Sequence, residues 1–457
     1  MVKVINLDSS KIAEDLKRGD ITIGVYGLGR MGLPTACLFS DIGANVIGVD
    51  INPVIINQIN NGDLPFEETG LRELLDKSIT SKRFIATTDT REAAEKSDII
   101  LVIVPTTIDS KMKPDYSAIE RAGRDIGFGI QGGNLIILQS TVGPGVTEGL
   151  FKEMIEKASG KLAGRNFCLA YSPIRATAGR VLRDIVHYPR IVAGINERSL
   201  DLASSTINCI VESDLIKASS VKTAETIKLF ENVYRDLNIA LANELALICE
   251  SIGIDFYEAR EAANSQPYSH IHRPGIGVGG HCIPFNPYFL MEVAEKTGAK
   301  VKIIKASRKI NDNMPSHIVK ILMKALRSCD KRVRRSTIAV LGLSYKSNVK
   351  EVRHSPSINV IELLHEKGIQ TRVYDPFFSS EEIDSIGFDG TGSAEMAVEN
   401  ADCVLIAVNH DKFKKLNWRR LTRLMEKPPC VVDGCNLLNR SFAKELGIRL
   451  TTLGSGL

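Results

Sequence analysis

The 457-residue chain has no Cys-x-x-Cys pair, no apolar run near the roughly 20 residues that cross a bilayer, and no large excess of either charge. Its nine cysteines, Cys37, Cys168, Cys209, Cys249, Cys282, Cys329, Cys403, Cys430 and Cys435, follow no regular spacing. That argues against disulfides and structural zinc. A formal net charge of +4 with 25% charged residues gives no electrostatic case for a nucleic-acid or membrane partner. The opening stretch MVKVINLDSSKIAEDLKRGD lacks the apolar core of a secretory signal. A cytoplasmic protein is expected, and the length favours two or three domains over one.

What is present is an alternation of short β-branched runs with helix-compatible stretches. ITIGVYGLG, ANVIGVD, SDIILVIVP and GNLIILQSTV are each separated by ten or more such residues. This pattern predicts a parallel sheet built from βαβ units. It restarts at STIAVLGLSY and continues through IQTRVYDP, ADCVLIAVNH and PPCVVDGCN. Between the two halves, residues 220–251 contain no Gly or Pro and keep apolar residues at helical spacing. The expected architecture is α/β: two doubly wound, Rossmann-like domains joined by a central helical domain with a long spine helix. The boundaries are placed at 1–215, 216–325 and 326–457. The spine also suits a dimer face.

Gly27-Leu28-Gly29-Arg30-Met31-Gly32 follows the first strand and opens a helix near Leu33. The first glycine of such a fingerprint permits the turn, the second lets backbone amides reach a pyrophosphate, and the third lets helix and strand pack closely. Asp50 ends the next strand, about twenty residues on, where a carboxylate accepts from the adenosine ribose. The same carboxylate repels a 2′-phosphate, so NAD is expected over NADP. Thr106 and Thr141 fall at later strand ends, where doubly wound sheets bind ligands. A tight βα turn and ordinary cap threonines are the structural alternative. The second half has Gly342 after its first strand but lacks the other two glycines, so it reads as a mononucleotide site.

GIGVGGHCIPFNP sets Cys282 between a Gly-Gly pair and a proline turn, in a loop expected to be flexible enough to approach a ligand. Such a cysteine suits a nucleophile better than a packing residue. His270, His272 and His281 lie near it, but no carboxylate or second cysteine completes a ligand spacing, so no metal is expected. On the spine helix, Glu225, Lys228, Asn232 and Arg235 share one face. Taken alone, that face also reads as a solvated, salt-bridged stripe.

Together, GLGRMGLP, VPTTID, STVGPGVT, KLFENVYRDLNIALANE, GVGGHCIP and YKSNVKEVRHSPS resemble, in order and spacing, the UDP-glucose/GDP-mannose dehydrogenase family. The resemblance runs from about Ile21 to the C-terminus. It implies an NAD domain, a central dimerisation domain and a C-terminal domain for a UDP-sugar, with a homodimer formed through the central helix. It implies Cys282 as nucleophile, Lys228 as catalytic lysine, Asn232 as their catalytic partner, and Thr141 as a group able to handle water. Arg30, Met31 and Arg353 join the glycines, Asp50 and the two threonines around the cofactor. Arg175, Ala176, Lys228, Asn232, Arg235, Tyr268, Gly277, Tyr345 and Lys346 are implied around the sugar nucleotide. The GGHC form of the cysteine loop is similar to that of the branch acting on UDP-N-acetylmannosamine and related N-acetylhexosamines. Three positions depart from the pattern: Ile174 replaces a glutamate, Asn286 an aspartate, and Tyr268 an arginine of that branch.

The reaction so implied is a four-electron oxidation of a sugar C6 hydroxyl to a carboxylate through a Cys282 thioester, within polysaccharide biosynthesis. UDP-glucose is the alternative substrate. A two-electron β-hydroxyacid dehydrogenase would have no use for Cys282 or the C-terminal domain. A sugar-nucleotide-binding regulator would have no use for Lys228, Asn232 and Cys282 together.

Overall fold

The computed structural model describes residues 3–456. They form two compact units. One runs to Glu231 and takes in Tyr288–Ala299; the other holds Asn232–Pro287 and the chain from Lys300 onward.

The first unit contains strands β1 (Thr22–Tyr26), β2 (Asn45–Val49), β3 (Phe84–Thr87), β4 (Ile99–Val102), a small hairpin of β5 (Thr107–Ile108) and β6 (Pro114–Asp115), then β7 (Leu135–Leu138), β8 (Cys168–Tyr171), β9 (Arg190–Gly194) and β10 (Leu215–Lys217). Apart from the hairpin they make one sheet in the order β10-β9-β8-β7-β4-β1-β2-β3. Its central strands are buried on both faces, as parallel strands covered by helices must be. The order reverses between β1 and β4, and the register sets Tyr26 beside both Val49 and Val102, so the carboxyl ends are flush at that switch point.

The expectation of an all-parallel sheet fails at one place. β9 runs antiparallel to β8. The chain leaving Tyr171 therefore re-enters the sheet from the end it left, and residues 172–189 stay at the carboxyl ends of the strands. Ile174, Arg175 and Ala176 lie in that segment.

The second unit contains β11 (Thr337–Leu341), β12 (Gln370–Tyr374), β13 (Cys403–Ile406), β14 (Cys430–Asp433) and β15 (Arg449–Thr452), all parallel, in the order β12-β11-β13-β14-β15. Helices Ile303–Ser328 and Pro356–Glu366 bury their apolar residues on one face; Ala394–Val398 and Trp418–Leu424 cover the other. The spine helix spans Val221–Ile252, within a residue of the expected ends.

Along the spine helix, Asp236, Asn243 and Glu250 recur every seven residues and face the helix Ile303–Ser328. Asp236 pairs with Arg308 at 2.5 Å, Asn243 donates to Asn311 at 2.9 Å, and Glu250 meets His317 at 2.8 Å. The first pair is almost wholly buried. Burial, opposed by Arg308, leaves the Asp236 carboxyl above the usual aspartate range, so desolvation outweighs the ion-pair attraction. Such a pair fixes register more than it stabilises.

No helix among the described residues is long and apolar enough to cross a membrane. Eight of the cysteines are buried or half-buried without disulfides, and Cys282 is exposed.

Arg308 also pairs with Asp312, whereas Asp236 has Arg308 as its one ion-pair partner among the described residues. Removing the cation strands the buried carboxylate, so Arg308→Met should lower unfolding stability by about 3–5 kcal/mol. The double variant Asp236→Leu/Arg308→Met should recover most of that loss. Urea titration of both proteins measures it; equal losses in the two would contradict this reading of the pair.

Candidate active site

The glycine turn after β1 is determined by space. Gly27 has φ +94°, and a Cβ on it would lie 2.5 Å from the Ile103 carbonyl oxygen. A Cβ on Gly32 would lie 1.7 Å from the Gly27 carbonyl oxygen, so the helix Gly32–Asp41 can start so close to the strand only with glycine there. Gly29 differs: it is exposed, with no atom within 4 Å of the place a Cβ would occupy. That open spot at a helix N-terminus is where a pyrophosphate can meet backbone amides.

Asp50 supports the turn from β2. Its Oδ2 accepts from Leu28 N at 2.9 Å and its Oδ1 from Asn52 N at 3.0 Å. A carboxylate has about four acceptor sites, so half remain for ribose hydroxyls. Arg30 stacks on Phe66, 5.4 Å from the ring centroid, and Met31 packs on the core behind the turn. The exposed Gly29 and the half-engaged Asp50 fit NAD. Thr106 and Thr141 meet directly at the ends of β4 and β7, where the Thr106 hydroxyl donates to the Thr141 carbonyl at 2.7 Å.

The spine-helix face is solvated only at its Arg235 end. Glu225 is fully buried, and its two oxygens accept from Gly145 N at 2.5 Å and Thr147 N at 2.8 Å. One turn later Lys228 donates Nζ to the Ile174 carbonyl at 2.8 Å, while the Ile174 side chain joins the apolar core. Arg175 donates to the Pro189 carbonyl at 2.9 Å and pairs with Glu231. Beneath this segment Arg190 is wholly buried, and desolvation, with Arg175 nearby, brings its guanidinium down to about 10. Neither Glu225 nor Arg190 was given a role from the sequence. A carboxylate one turn before Lys228 was the available signal for the first.

In the second unit the glycines of the cysteine loop serve packing more than mobility. A Cβ on Gly277 (φ +149°) would lie 2.8 Å from Pro356; on Gly279, 2.6 Å from the His354 carbonyl oxygen; on Gly280 (φ +88°), 2.7 Å from the Tyr345 ring. The loop is therefore seated on the segment Tyr345–Pro356. The Phe285 ring stands edge-on to His354 at 4.6 Å. Cys282 is exposed at the mouth of this contact, and its carbonyl accepts from Asn286 N at 2.8 Å at the start of the helix Asn286–Thr297. A helix N-terminus favours negative charge. Asn286 is buried, and its side chain accepts from the Asn232 amide.

Tyr345 and Lys346 are half-buried on the turn after β11. That turn repeats the first one: Gly342 has φ +106°, and Asp375, at the end of β12, accepts from Leu343 N at 2.8 Å and Ser344 N at 2.9 Å. Asp375 is wholly buried and also meets His410 Nε2 at 3.1 Å, whose Nδ1 accepts from Asn348 N at 2.9 Å. Unlike Asp50, it has no face left for a ribose. Arg353 is exposed and holds Glu351 through Nε and Nη2 at 3.1 and 2.9 Å. Arg235 is exposed, and Tyr268, 88% exposed, stands clear of the cysteine loop's packing.

The chain matches the UDP-glucose/GDP-mannose dehydrogenase family in three parts: the NAD binding domain over residues 21–208, the central domain over 222–313 and the UDP binding domain over 339–440. The chain belongs to this family. It is 36% identical to the UDP-N-acetyl-D-mannosamine dehydrogenase of Methanococcus vannielii, over 95% of this chain and 97% of the relative. It superposes on the structure of UDP-D-ManNAc dehydrogenase from Pyrococcus horikoshii with a TM-score of 0.87 at 34% identity, covering 95% of this chain and 100% of the other. Against the NDP-N-acetyl-D-galactosaminuronic acid dehydrogenase of Methanosarcina mazei Go1 the values are 0.82 and 30%, over 97% and 98%. This member of the family is thus an NAD-dependent oxidoreductase with a UDP binding domain.

Asp50→Ala should cut kcat/KM for NAD roughly tenfold, the loss of one to two hydrogen bonds, and cut that for NADP less, since repulsion of the 2′-phosphate goes too. Steady-state rates with both cofactors measure the ratio. An unchanged NAD-to-NADP preference would contradict the role given to Asp50.

Proposed function

We propose that this chain oxidises the C6 hydroxyl of a UDP-N-acetylhexosamine, best UDP-N-acetyl-D-mannosamine, to the uronate in two NAD-linked steps. The observation that carries the reading is the seating of Cys282: an exposed thiol on a rigid loop, packed by three glycines against the segment holding Tyr345, in a chain whose other unit presents an NAD turn and Lys228. The 36% identity to a UDP-N-acetyl-D-mannosamine dehydrogenase supports the sugar.

When bound, NAD accepts a hydride from C6 in each of the two oxidations. Gly27, Gly29, Gly32, Arg30, Met31, Asp50, Thr106 and Thr141 would hold it, and Arg353 is a further proposed cofactor contact. Lys228, or a water it orders, takes the C6 hydroxyl proton in the first oxidation. The Cys282 thiolate then adds to the aldehyde carbon and gives a thiohemiacetal, whose oxidation leaves a thioester. Water attacks that thioester, the C–S bond breaks, and the uronate and the Cys282 thiol are restored. Lys228 also steadies the oxyanion of each tetrahedral species, a task suited to a point charge on a flexible stem. Asn232, held by Asn286, orients C6. Arg175, Ala176, Arg235, Tyr268, Gly277, Tyr345 and Lys346 are the proposed contacts to the sugar nucleotide, in keeping with a division into NAD, central and UDP-sugar domains.

Water handling is where this chain departs from its relatives' pattern. Ile174 is buried in apolar core and Asn286 carries no charge, so the hydrolysis lacks two carboxylates while the redox steps keep their groups.

On the spine helix, Tyr234, Leu241 and Ile248 recur every seven residues and are 57%, 47% and 48% exposed. They lie two positions before Asp236, Asn243 and Glu250, hence on the opposite side of the helix. This unpaired apolar stripe supports a homodimer, and the thiol-rich, disulfide-free composition supports a cytoplasmic enzyme.

Purified protein with NAD and UDP-N-acetyl-D-mannosamine should form two NADH and one uronate per sugar consumed; one NADH and a stable carbonyl product would move it to two-electron chemistry. Lys228→Ala should lose about 100- to 10,000-fold in rate, the range of general acid–base catalysis. Asn286→Asp should speed the steady state more than the first turnover, as rapid-mixing absorbance at the NADH band would record. An equal effect on both phases would mean that hydrolysis does not limit turnover.

A further inference from the structure

The mechanism leaves the buried carboxyl of Glu225 unused. Glu225 sits on the spine helix one turn before Lys228, fully buried, with its two oxygens on the amides of Gly145 and Thr147. Those amides bound the turn that follows β7, and Thr141 lies in the same turn. Gly145 has φ +98°, and a Cβ on it would meet open space, so no close side-chain packing fixes the turn at that point. Beyond it, Thr147–Phe151 forms a π-helical turn, a wide and less stable geometry that needs outside support. The near end of the turn is held elsewhere: Gly143 N donates to Tyr116 Oη at 3.0 Å, and a Cβ on Gly143 would lie 2.7 Å from that oxygen. The far end rests on Glu225.

Two amide donors on separate oxygens call for a carboxylate. A glutamine offers one acceptor and one donor, and its NH2 would face an N–H. Lys228, at the next helical turn, reaches from the same helix to the Ile174 carbonyl. One helix thus fixes both the turn carrying Thr141 and the lysine that handles the C6 proton.

We propose that Glu225 is a positioning residue for hydride transfer, its carboxylate locking the Thr141 turn at the cofactor site to the helix that carries Lys228. The proposal rests on the reading of Lys228 and Thr141 given above, but NAD binding alone can test it.

The carboxyl also titrates in a useful range. Burial raises it to about 7, against the pull of its hydrogen bonds with Thr147 and Gly145 and with Glu148 adding to the rise. The charged and titratable groups facing it are Glu148 from the π turn, Tyr171 from β8 and Tyr116 from the helix Ser117–Gly129; both phenols are themselves pushed up by burial. A carboxyl raised on folding contributes to global stability in acid, and that contribution is lost as pH rises through about 7. The amide-accepting form is gained over the same interval. Global stability and order in the turn therefore move in opposite directions with pH, which a merely structural buried acid would not produce.

The test compares the wild type with Glu225→Gln and Glu225→Asp by calorimetric titration of NAD, without sugar, at pH 6 and pH 8. Wild-type affinity should fall about tenfold from pH 8 to pH 6; Glu225→Gln should bind at least tenfold more weakly at pH 8 and show no such pH dependence, with UDP binding unchanged; Glu225→Asp should restore part of both. Hydrogen exchange on the wild type, which needs no variant to fold, should show residues 143–149 more protected at pH 8 than at pH 6 after correction for intrinsic rates. Glu225→Gln with wild-type NAD affinity and pH dependence, or exchange in this turn that ignores pH, would overturn the proposal. A wild type that binds NAD as expected but oxidises no UDP-sugar would instead fault the functional reading and leave this test standing.

Discussion

Each sheet has a carboxylate at the end of its second strand that holds the amide of the neighbouring glycine turn. Asp50 holds Leu28 N at 2.9 Å, and Asp375 holds Leu343 N at 2.8 Å. A turn that must pass from strand to helix within a few residues exposes backbone donors at its tightest point, and one acceptor fixed by a strand satisfies them. The two sites differ in what is left over. Asp50 keeps half its acceptor capacity at the surface, whereas Asp375 is buried and committed to His410, Ser344 and Phe377. The same local device thus makes an open dinucleotide turn in one unit and a closed, rigid turn bearing Tyr345 and Lys346 in the other.

Rigidity recurs wherever a reacting group is held. The cysteine loop cannot carry side chains at Gly277, Gly279 or Gly280 without striking Pro356, His354 or Tyr345. It hangs from the spine helix as well: Asn238 and Asn243 accept from His272 N and Gly275 N at 3.0 and 2.9 Å. The proposed nucleophile, which would add to one carbonyl carbon and later release a carboxylate, would gain from such a seat, because small displacements of reacting atoms are expensive. The sheet supplies its part through the reversed β9, which keeps Ile174, Arg175 and Ala176 at the ligand end.

Much of this was legible in the sequence because it rests on period and punctuation. Strand runs beginning at Ile21, Ala44, Ser97 and Gly133, the three-glycine turn, Asp50 and the uninterrupted spine all announce themselves by local pattern. β3, β8, β9, β10 and β15 did not. Three of them are short edge or near-edge strands with mixed burial, and the sense of β9 is set by where its partner ends. The role of Glu225 was hidden for a related reason. Helical spacing showed that it shares a face with Lys228 but could not show that the face is buried, since the covering turn lies some eighty residues earlier. The glycines before Cys282 were visible as permission for close approach; that the approach is to Tyr345 and Pro356 depends on long-range packing.

The proposed reaction turns on a covalent bond between Cys282 and the substrate. In the proposed mechanism Lys228 and NAD would suffice for a single oxidation, and the thiol would commit the aldehyde to the second. With Ile174 and Asn286 in place of carboxylates, the proposed mechanism makes release of the acyl group the slow step, so the adduct should accumulate. The direct measurement is acid quench of the enzyme turning over UDP-N-acetyl-D-mannosamine with NAD, followed by mass spectrometry of the intact chain and of the peptide GIGVGGHCIPFNP. A uronyl adduct on Cys282 is expected in a large fraction of the molecules, absent without NAD. Full turnover to uronate with Cys282 unmodified at every quench time, and undiminished in Cys282→Ala, would contradict it.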